Sequence, residues 1–195
     1  LADSSLRFSD VCLTANTGRA RFDHRLALVA SIGGRAARIL SQWRVGKSDK
    51  AVWHGKVGHK TFPPITFLFS PENSLDFPMS KVLYGEAPVF QSAVQRCEEI
   101  ERSLTNEPVI ETLYAPGGPP DTSSKSRIRA VAAFSLQYAM SELLRSWNVR
   151  PTIVYGEGVG ECVAAVVAGI VDLEEGLRLV LRRGGEIFAS EEKEI

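Results

Sequence analysis

This 195-residue chain is poor in the features that set a protein's class outright. It has three cysteines, Cys12, Cys97 and Cys162, widely spaced and without a C-x-x-C pair. That pattern argues against both a disulfide framework and a cysteine-built zinc site, and the three read instead as small buried apolar residues. No apolar run reaches the roughly 18 residues of a transmembrane helix, and the N-terminus shows no basic-then-apolar leader. A cytoplasmic location is the default expectation. Net charge is also missing: 23 basic residues against 23 acidic ones leave zero, so no overall field draws the chain to nucleic acid or an anionic membrane. Neither is expected as a partner. The chain lacks an initial methionine, and its abrupt start at Leu1 points to a segment of something larger. What is present is a globular composition, 44% hydrophobic and 24% charged, able to bury a core.

The first sixty residues alternate helix and strand on a small scale. Ser9-Asp10 can cap a short helix through Val11, Cys12 and Leu13, which Gly18 ends. Residues 25–30 read as a strand, Ala36, Ile39, Leu40 and Trp43 recur at helical spacing, and residues 51–57 alternate like an edge strand. The expected product is an αβαβ module over residues 1–60, with Pro63-Pro64 at its boundary because paired prolines resist helix and central strand alike. Trp43 and Trp53 serve this module either as core or as anchors for a neighbouring domain.

Residues 61–195 form the second expected domain. Ile65 to Phe69 is almost wholly apolar, as for a strand covered on both faces. Helices are expected over residues 87–103, with Val89, Phe90, Val94, Cys97, Ile100 and Leu104 as the apolar stripe, over 130–147, and over 160–168 up to Gly169. Residues 115–126 have the composition of a surface loop. Asn148 to Pro151 should stop the second helix and lead to a strand over 152–155, with Trp147 packed beneath it. Asp172 with Glu175 makes an N-terminal cap for a last helix, Arg178, Arg182 and Arg183 suit its C-terminal half, and Gly184-Gly185 reads as its stop. Residues 191–195 read as a solvated tail.

The densest signal is the run from Pro151 to Cys162, where a strand meets a glycine-rich turn that opens a helix. Its context is that of a G-x-S-x-G elbow, a strained turn that presents a serine oxygen to substrate. Here the central residue is Gly158, so the hydroxyl is missing. Three other chemistries fit parts of the turn. Gly156-x-Gly158-x-Gly160 suggests a dinucleotide phosphate turn, but Glu161 stands where the third glycine belongs and Glu157 would face a pyrophosphate. Glu157 and Glu161 are a candidate acid–base pair, against a plainer role at the positive end of a helix. Cys162 is a candidate displaced nucleophile, although it lies past the helix start.

Further residues carry a resemblance. Thr17-Gly18-Arg19, Phe22, His24-Arg25, Phe67-Leu68-Phe69, Pro88-Val89-Phe90, Phe134 to Ala139, Trp147 to Pro151, and Gly160-Glu161 through Gly169 to Glu175 are together similar to one arrangement. From Phe8 to Arg183 the chain resembles the ketosynthase-to-acyltransferase linker and the first part of a malonyl-type acyltransferase domain from a modular polyketide synthase. The resemblance implies an α/β fold: a small αβαβ linker module, then a partial α/β-hydrolase-like large subdomain. The ferredoxin-like small subdomain would be lacking, since the chain ends before it should begin.

Departures from the pattern shape the functional expectation. The family's Gly-His-Ser-x-Gly elbow is matched by Gly156, Glu157, Gly158, Val159 and Gly160. Its Gly-Gln-Gly oxyanion stretch is matched by Pro71, Glu72 and Asn73, where an acid would repel developing charge. His24, His54 and His59 do not stand at the general base's place. Arg127 and Arg129 precede the helix without matching the family's carboxylate-binding arginine, so no binding residue, cofactor or metal is carried over. The expectation is that this segment is not an enzyme but a truncated, catalytically inactive scaffold or docking platform. Its partners would be the neighbouring ketosynthase and a trans-acting acyltransferase that loads the acyl group, or an acyl carrier protein. The alternatives are a carrier-protein binding module and an acyltransferase or hydrolase with a repositioned nucleophile.

Overall fold

A computed structural model describes residues 6–58, 63–71, 77–105 and 125–191, without the side chains of 77–79, 125–126 and 183–191. The chain divides into two compact units, Leu1–Pro63 and Pro64–Ile195.

The first unit contains α1 (Phe8–Thr17), β1 (His24–Leu28), α2 (Gly33–Arg44) and β2 (Val52–Lys56). Strands β1 and β2 pair antiparallel, with His24 opposite Lys56 and Leu28 opposite Val52. Period-two alternation separates the ribbon's faces: Leu26, Leu28 and Val52 are half-buried, whereas Arg25, Ala27 and Trp53 are exposed. Helix α2 buries Ala36 and Ile39. Trp43 near its end meets the ring of His54, centroids 5.9 Å apart, which sets the helix on the Leu26 and Leu28 side. A Schellman turn closes α2: Gly46, at φ 80°, donates to the Trp43 carbonyl at 2.9 Å and Lys47 to that of Gln42 at 3.0 Å. Helix α1 is longer than expected. Ser9 and Asp10 lie inside it, Arg7 occupies the cap without a side-chain bond, and Gly18 does end it.

The second unit contains β3 (Thr66–Phe69), α3 (Phe77–Glu86), α4 (Pro88–Leu104), α5 (Lys125–Ser146), β4 (Ile153–Gly156), α6 (Val159–Val167) and α7 (Leu173–Glu191). Strands β3 and β4 pair in parallel, Phe67 opposite Val154 and Leu68 opposite Tyr155. Helix α5 is the spine: Val131, Ala132, Ala133, Phe134 and Ala139 are fully buried. Phe67 and Phe69 of β3, Phe90, Val94 and Cys97 of α4, Val163 of α6 and Leu177 and Val180 of α7 complete one hydrophobic core. Each large apolar side chain so buried contributes about 1.5–3 kcal/mol.

Several expectations are corrected here. Helix α3 was not foreseen, because residues 77–86 carry a proline, a glycine and little helical periodicity. It is parted from α4 by Pro88, which forces Ala87 out of the helical region to φ −115° and ψ 97°. Strand β3 is not covered on both faces: Phe67 and Phe69 are buried but Leu68 is 72% exposed, and Ile153 and Tyr155 beside it on β4 are exposed as well. Trp147 does not pack beneath β4. It is exposed in the turn that ends α5, where Asn148 takes φ 62° and donates to the Arg145 carbonyl at 2.9 Å. Trp43 and Trp53 are also exposed and do not belong to the core. Gly184-Gly185 does not stop α7, which runs to Glu191. Each glycine costs a helix about 1 kcal/mol without breaking it, and the N-terminus is well capped, Glu175 donating to Asp172 Oδ1 at 2.8 Å. Residues 106–124, including most of the expected loop, and residues 192–195 lie outside the described residues. No described helix is long and apolar enough to cross a membrane.

Candidate functional site

The site is the turn between β4 and α6. Gly158 holds φ 59° and ψ −123°, a backbone that L side chains adopt only under strain. On either side of it the chain makes very close approaches. A Cβ on Gly156 would strike the Gly160 carbonyl, and one on Gly160 would strike the carbonyl of Phe69 on the neighbouring strand. Glycine at 156 and 160 therefore lets the first turn of α6 lie directly over the end of β3. Hydrogen bonds lock that arrangement: Glu157 donates to the Phe69 carbonyl at 3.1 Å, Gly160 to Glu157 at 2.9 Å and Glu161 to Gly158 at 3.1 Å.

A glutamine on the spine helix braces the same corner. Gln137 Oε1 accepts from the Ser70 backbone N–H at 2.7 Å, and its Nε2 donates to the Ser70 carbonyl at 3.0 Å. This pair fixes the residue that follows β3 and leads toward Pro71. Gln137 lies within the Phe134 to Ala139 stretch that carries the resemblance, which assigns it no role. The available signal was a lone amide among positions that helical periodicity assigns to the core. Gln137→Ala is expected to lower stability by about 1–2 kcal/mol, the net worth of two hydrogen bonds, read as a lower urea midpoint at unchanged slope.

The proposed site residues fall as follows. Gly158 is half-buried at the turn, and Glu157 and Glu161 are exposed. Glu72 and Asn73 lie outside the described residues, as does His59. Two of the turn's amides, those of Gly160 and Glu161, are already bonded within it, which disfavours a dinucleotide phosphate turn. Cys162 is buried on α6 and offers no accessible displaced nucleophile. Cys97, on α4, is likewise inert: burial pushes its thiol up to about 12. His24 and His54 are exposed on the ribbon of the first unit. Arg127 is half-buried with Nε lacking a hydrogen-bond partner, and Arg129 is exposed. A separate cavity of about 280 Å³, lined by Pro88, Val89, Ser92, Ala93, Arg96 and Glu142, takes no residue from the turn. Among the described residues no group of His, Cys, Asp and Glu is arranged to hold a metal ion.

A parallel strand pair, a helical layer and a glycine-flanked strand-to-helix elbow make this unit an α/β domain with the turn geometry of a nucleophile elbow. The sequence profile described as Acyl transferase domain matches residues 66–192, and the chain belongs to that family. A second profile, described as CurL-like, PKS C-terminal, matches residues 2–39. The chain is 31% identical over 192 residues to the PKS-NRPS hybrid synthetase ATPKS of Aspergillus niger, covering 94% of this chain and 10% of that protein. It is 32% identical over 186 residues to orsellinic acid synthase armB of Armillaria mellea, covering 93% and 8%. Among solved structures, the acyl transferase domain of ZmaA superposes with a TM-score of 0.77 at 31% identity, over 92% of this chain and 41% of that one. The acyltransferase domain from the second module of the salinomycin polyketide synthase gives 0.68 at 25% identity, over 94% and 42%. The chain thus spans a tenth or less of those two synthases and about two fifths of those acyltransferase chains.

These findings overturn the expectation that the segment is not an enzyme. It is homologous to the acyltransferase domains of polyketide synthases, a family of catalysts. The departures at Glu157, Gly158 and Glu72 and the want of a histidine at the general base's place are differences of side chain, whereas the elbow's backbone keeps φ 59° and ψ −123° at Gly158.

Proposed function

We propose that this chain serves a polyketide synthase as an acyl-transfer frame that holds acyl thioesters beside the elbow and forms no acyl-enzyme at residue 158. One observation carries the reading: the elbow backbone is kept at φ 59° and ψ −123° between two glycines that admit no Cβ, while position 158 has no side chain to acylate. What such an elbow offers is the N-terminal end of α6, whose dipole favours negative charge developing on a thioester oxygen, the Gly160 and Glu161 amides being engaged within the turn. The matching reaction is direct exchange. A carrier-protein thiolate attacks the carbonyl carbon of a donor thioester, the bond from that carbon to the donor sulfur breaks, and the donor leaves as its thiolate, which takes a proton from water. Serine hydrolases stripped of their triad still accelerate their reactions about 10³–10⁴-fold through binding and oxyanion stabilisation, which sets the scale expected here. An acyl carrier protein, the neighbouring ketosynthase and a separate acyltransferase acting in trans are the partners such a frame would serve.

Incubation with malonyl-coenzyme A followed by intact-mass measurement tests this. The unmodified chain should stay free of covalent acyl groups while speeding malonyl transfer to a carrier protein. An acyl adduct on the unaltered chain would sink the reading.

A further inference from the structure

One peptide group joins the spine helix to the elbow. The amide between Phe69 and Ser70 is held on both sides: its N–H donates to Gln137 Oε1 at 2.7 Å, and its carbonyl accepts from the Glu157 N–H at 3.1 Å. Since a peptide is planar, a twist of this group would disturb both bonds at once. The β3–β4 ladder ends here, with Phe69 opposite Gly156, so the next N–H has lost its strand partner and Gln137 supplies one. Gln137 Nε2 also donates to the Ser70 carbonyl at 3.0 Å, which secures the following peptide as well. The side chain is carried on a rigid element, between the buried Leu136 and Tyr138 of α5. The Phe69 carbonyl is also the group that lies against Gly160, where a Cβ would strike it. The turn's bond to β3 and its closest approach to β3 thus meet at one peptide, gripped from behind by Gln137. Beyond Glu157, the Gly158 and Val159 amides take no partner among the described residues. Their direction follows from how Glu157 is anchored.

We propose that Gln137 is a positioning residue for thioester exchange at the elbow, acting through the Phe69–Ser70 peptide on the turn at Glu157 and Gly158. The inference rests on the elbow being a frame that stabilises charge developing on a thioester oxygen. Such stabilisation depends on dipoles and donors fixed before the reaction begins, and a displacement of about 1 Å caused from outside the reacting atoms can cost about 10²-fold in rate. A carboxamide suits the place because it presents an uncharged acceptor and donor side by side, matching the N–H and carbonyl of Ser70. Gln137 reaches the elbow through the backbone of β3, so its loss should fall on kcat and leave KM alone.

The test measures malonyl transfer from malonyl-coenzyme A to an acyl carrier protein, above the uncatalysed rate, by the full chain and three variants. Gln137→Ala removes both bonds, and Gln137→Glu keeps the size and the acceptor but sets a second oxygen against the Ser70 carbonyl. Val94→Ala, at a fully buried position on α4, lowers stability without altering the corner. At a temperature well below every unfolding midpoint, both Gln137 variants should lose kcat about tenfold or more with KM within about twofold. Val94→Ala should keep kcat although its urea midpoint falls. An unchanged kcat in either Gln137 variant, a loss confined to KM, or an equal loss in Val94→Ala overturns the inference and leaves the reading of the elbow standing. No acceleration by the unaltered chain overturns that reading, and the role of Gln137 with it.

Discussion

Gly160→Ala is expected to cost about 3 kcal/mol or more, whereas Gly158→Ala, two residues earlier, should cost only about 1–2 kcal/mol. The difference comes from what each new methyl group meets. At Gly160 it would enter the carbonyl of Phe69 on β3, a backbone group that cannot move without disturbing the Glu157 bond and the strand pair. Alanine's better helix propensity, about 1 kcal/mol, offsets part of that cost. At Gly158 the cost argued is the strain of holding an L residue at φ 59° and ψ −123°. Urea unfolding of both variants measures the contrast. Equal midpoint shifts would mean that α6 does not ride on the end of β3 as described.

The second large effect is alkaline. Cys97 is fully buried on α4, and burial is the main reason its thiol is pushed from 9.0 to about 12. Ser135 and the Arg96 charge work the other way, and the Glu101 charge adds to the rise. Ser135 Oγ has no partner in hydrogen-bond geometry, so it acts on the thiol as a nearby dipole. Because the folded chain holds this proton more tightly than the unfolded one, the stabilisation is complete below pH 9. It is lost as pH climbs from there toward 12, about 4 kcal/mol across the window. Tyr138 on α5 is raised as well, chiefly by burial and then by the Glu142 charge, and pulls the same way above about pH 10. Cys97→Ala should therefore remove the fall in stability that begins near pH 9 and leave the part that begins nearer pH 10. Unfolding midpoints between pH 8 and the alkaline limit, identical in slope for the two proteins, would refute the assignment.

Much of the second unit was readable from residues alone. The long buried helix α5, the strand before the elbow, Gly169 beyond the end of α6 and the Asp172 cap each rest on local chemistry: apolar periodicity, a left-handed glycine, a side-chain oxygen within reach of free amides. Helix α3 escaped notice for the same reason in reverse, since its local pattern is weak and its partner α4 supplies the packing. The readings of Trp147 and Leu68 failed because periodicity says which residues are apolar and not which of them will find cover.

The functional site divides along similar lines. Gly156, Glu157, Gly158, Val159 and Gly160 announce an elbow in sequence, and the glycine at its centre, residue 158, is plain there. Spacing could not show that Gly158 keeps the strained elbow backbone, or that Gln137, twenty-one residues earlier, braces Ser70 at the corner. Residue types by themselves determined the family, the element order apart from α3 and the glycine at the elbow's centre, because each follows from chemistry within a few neighbouring positions. The close approach of α6 to Phe69, the burial that makes Cys97 inert and the open face around Trp53 were decided only by tertiary structure, since each depends on which distant segments come to lie together and which surfaces they leave bare.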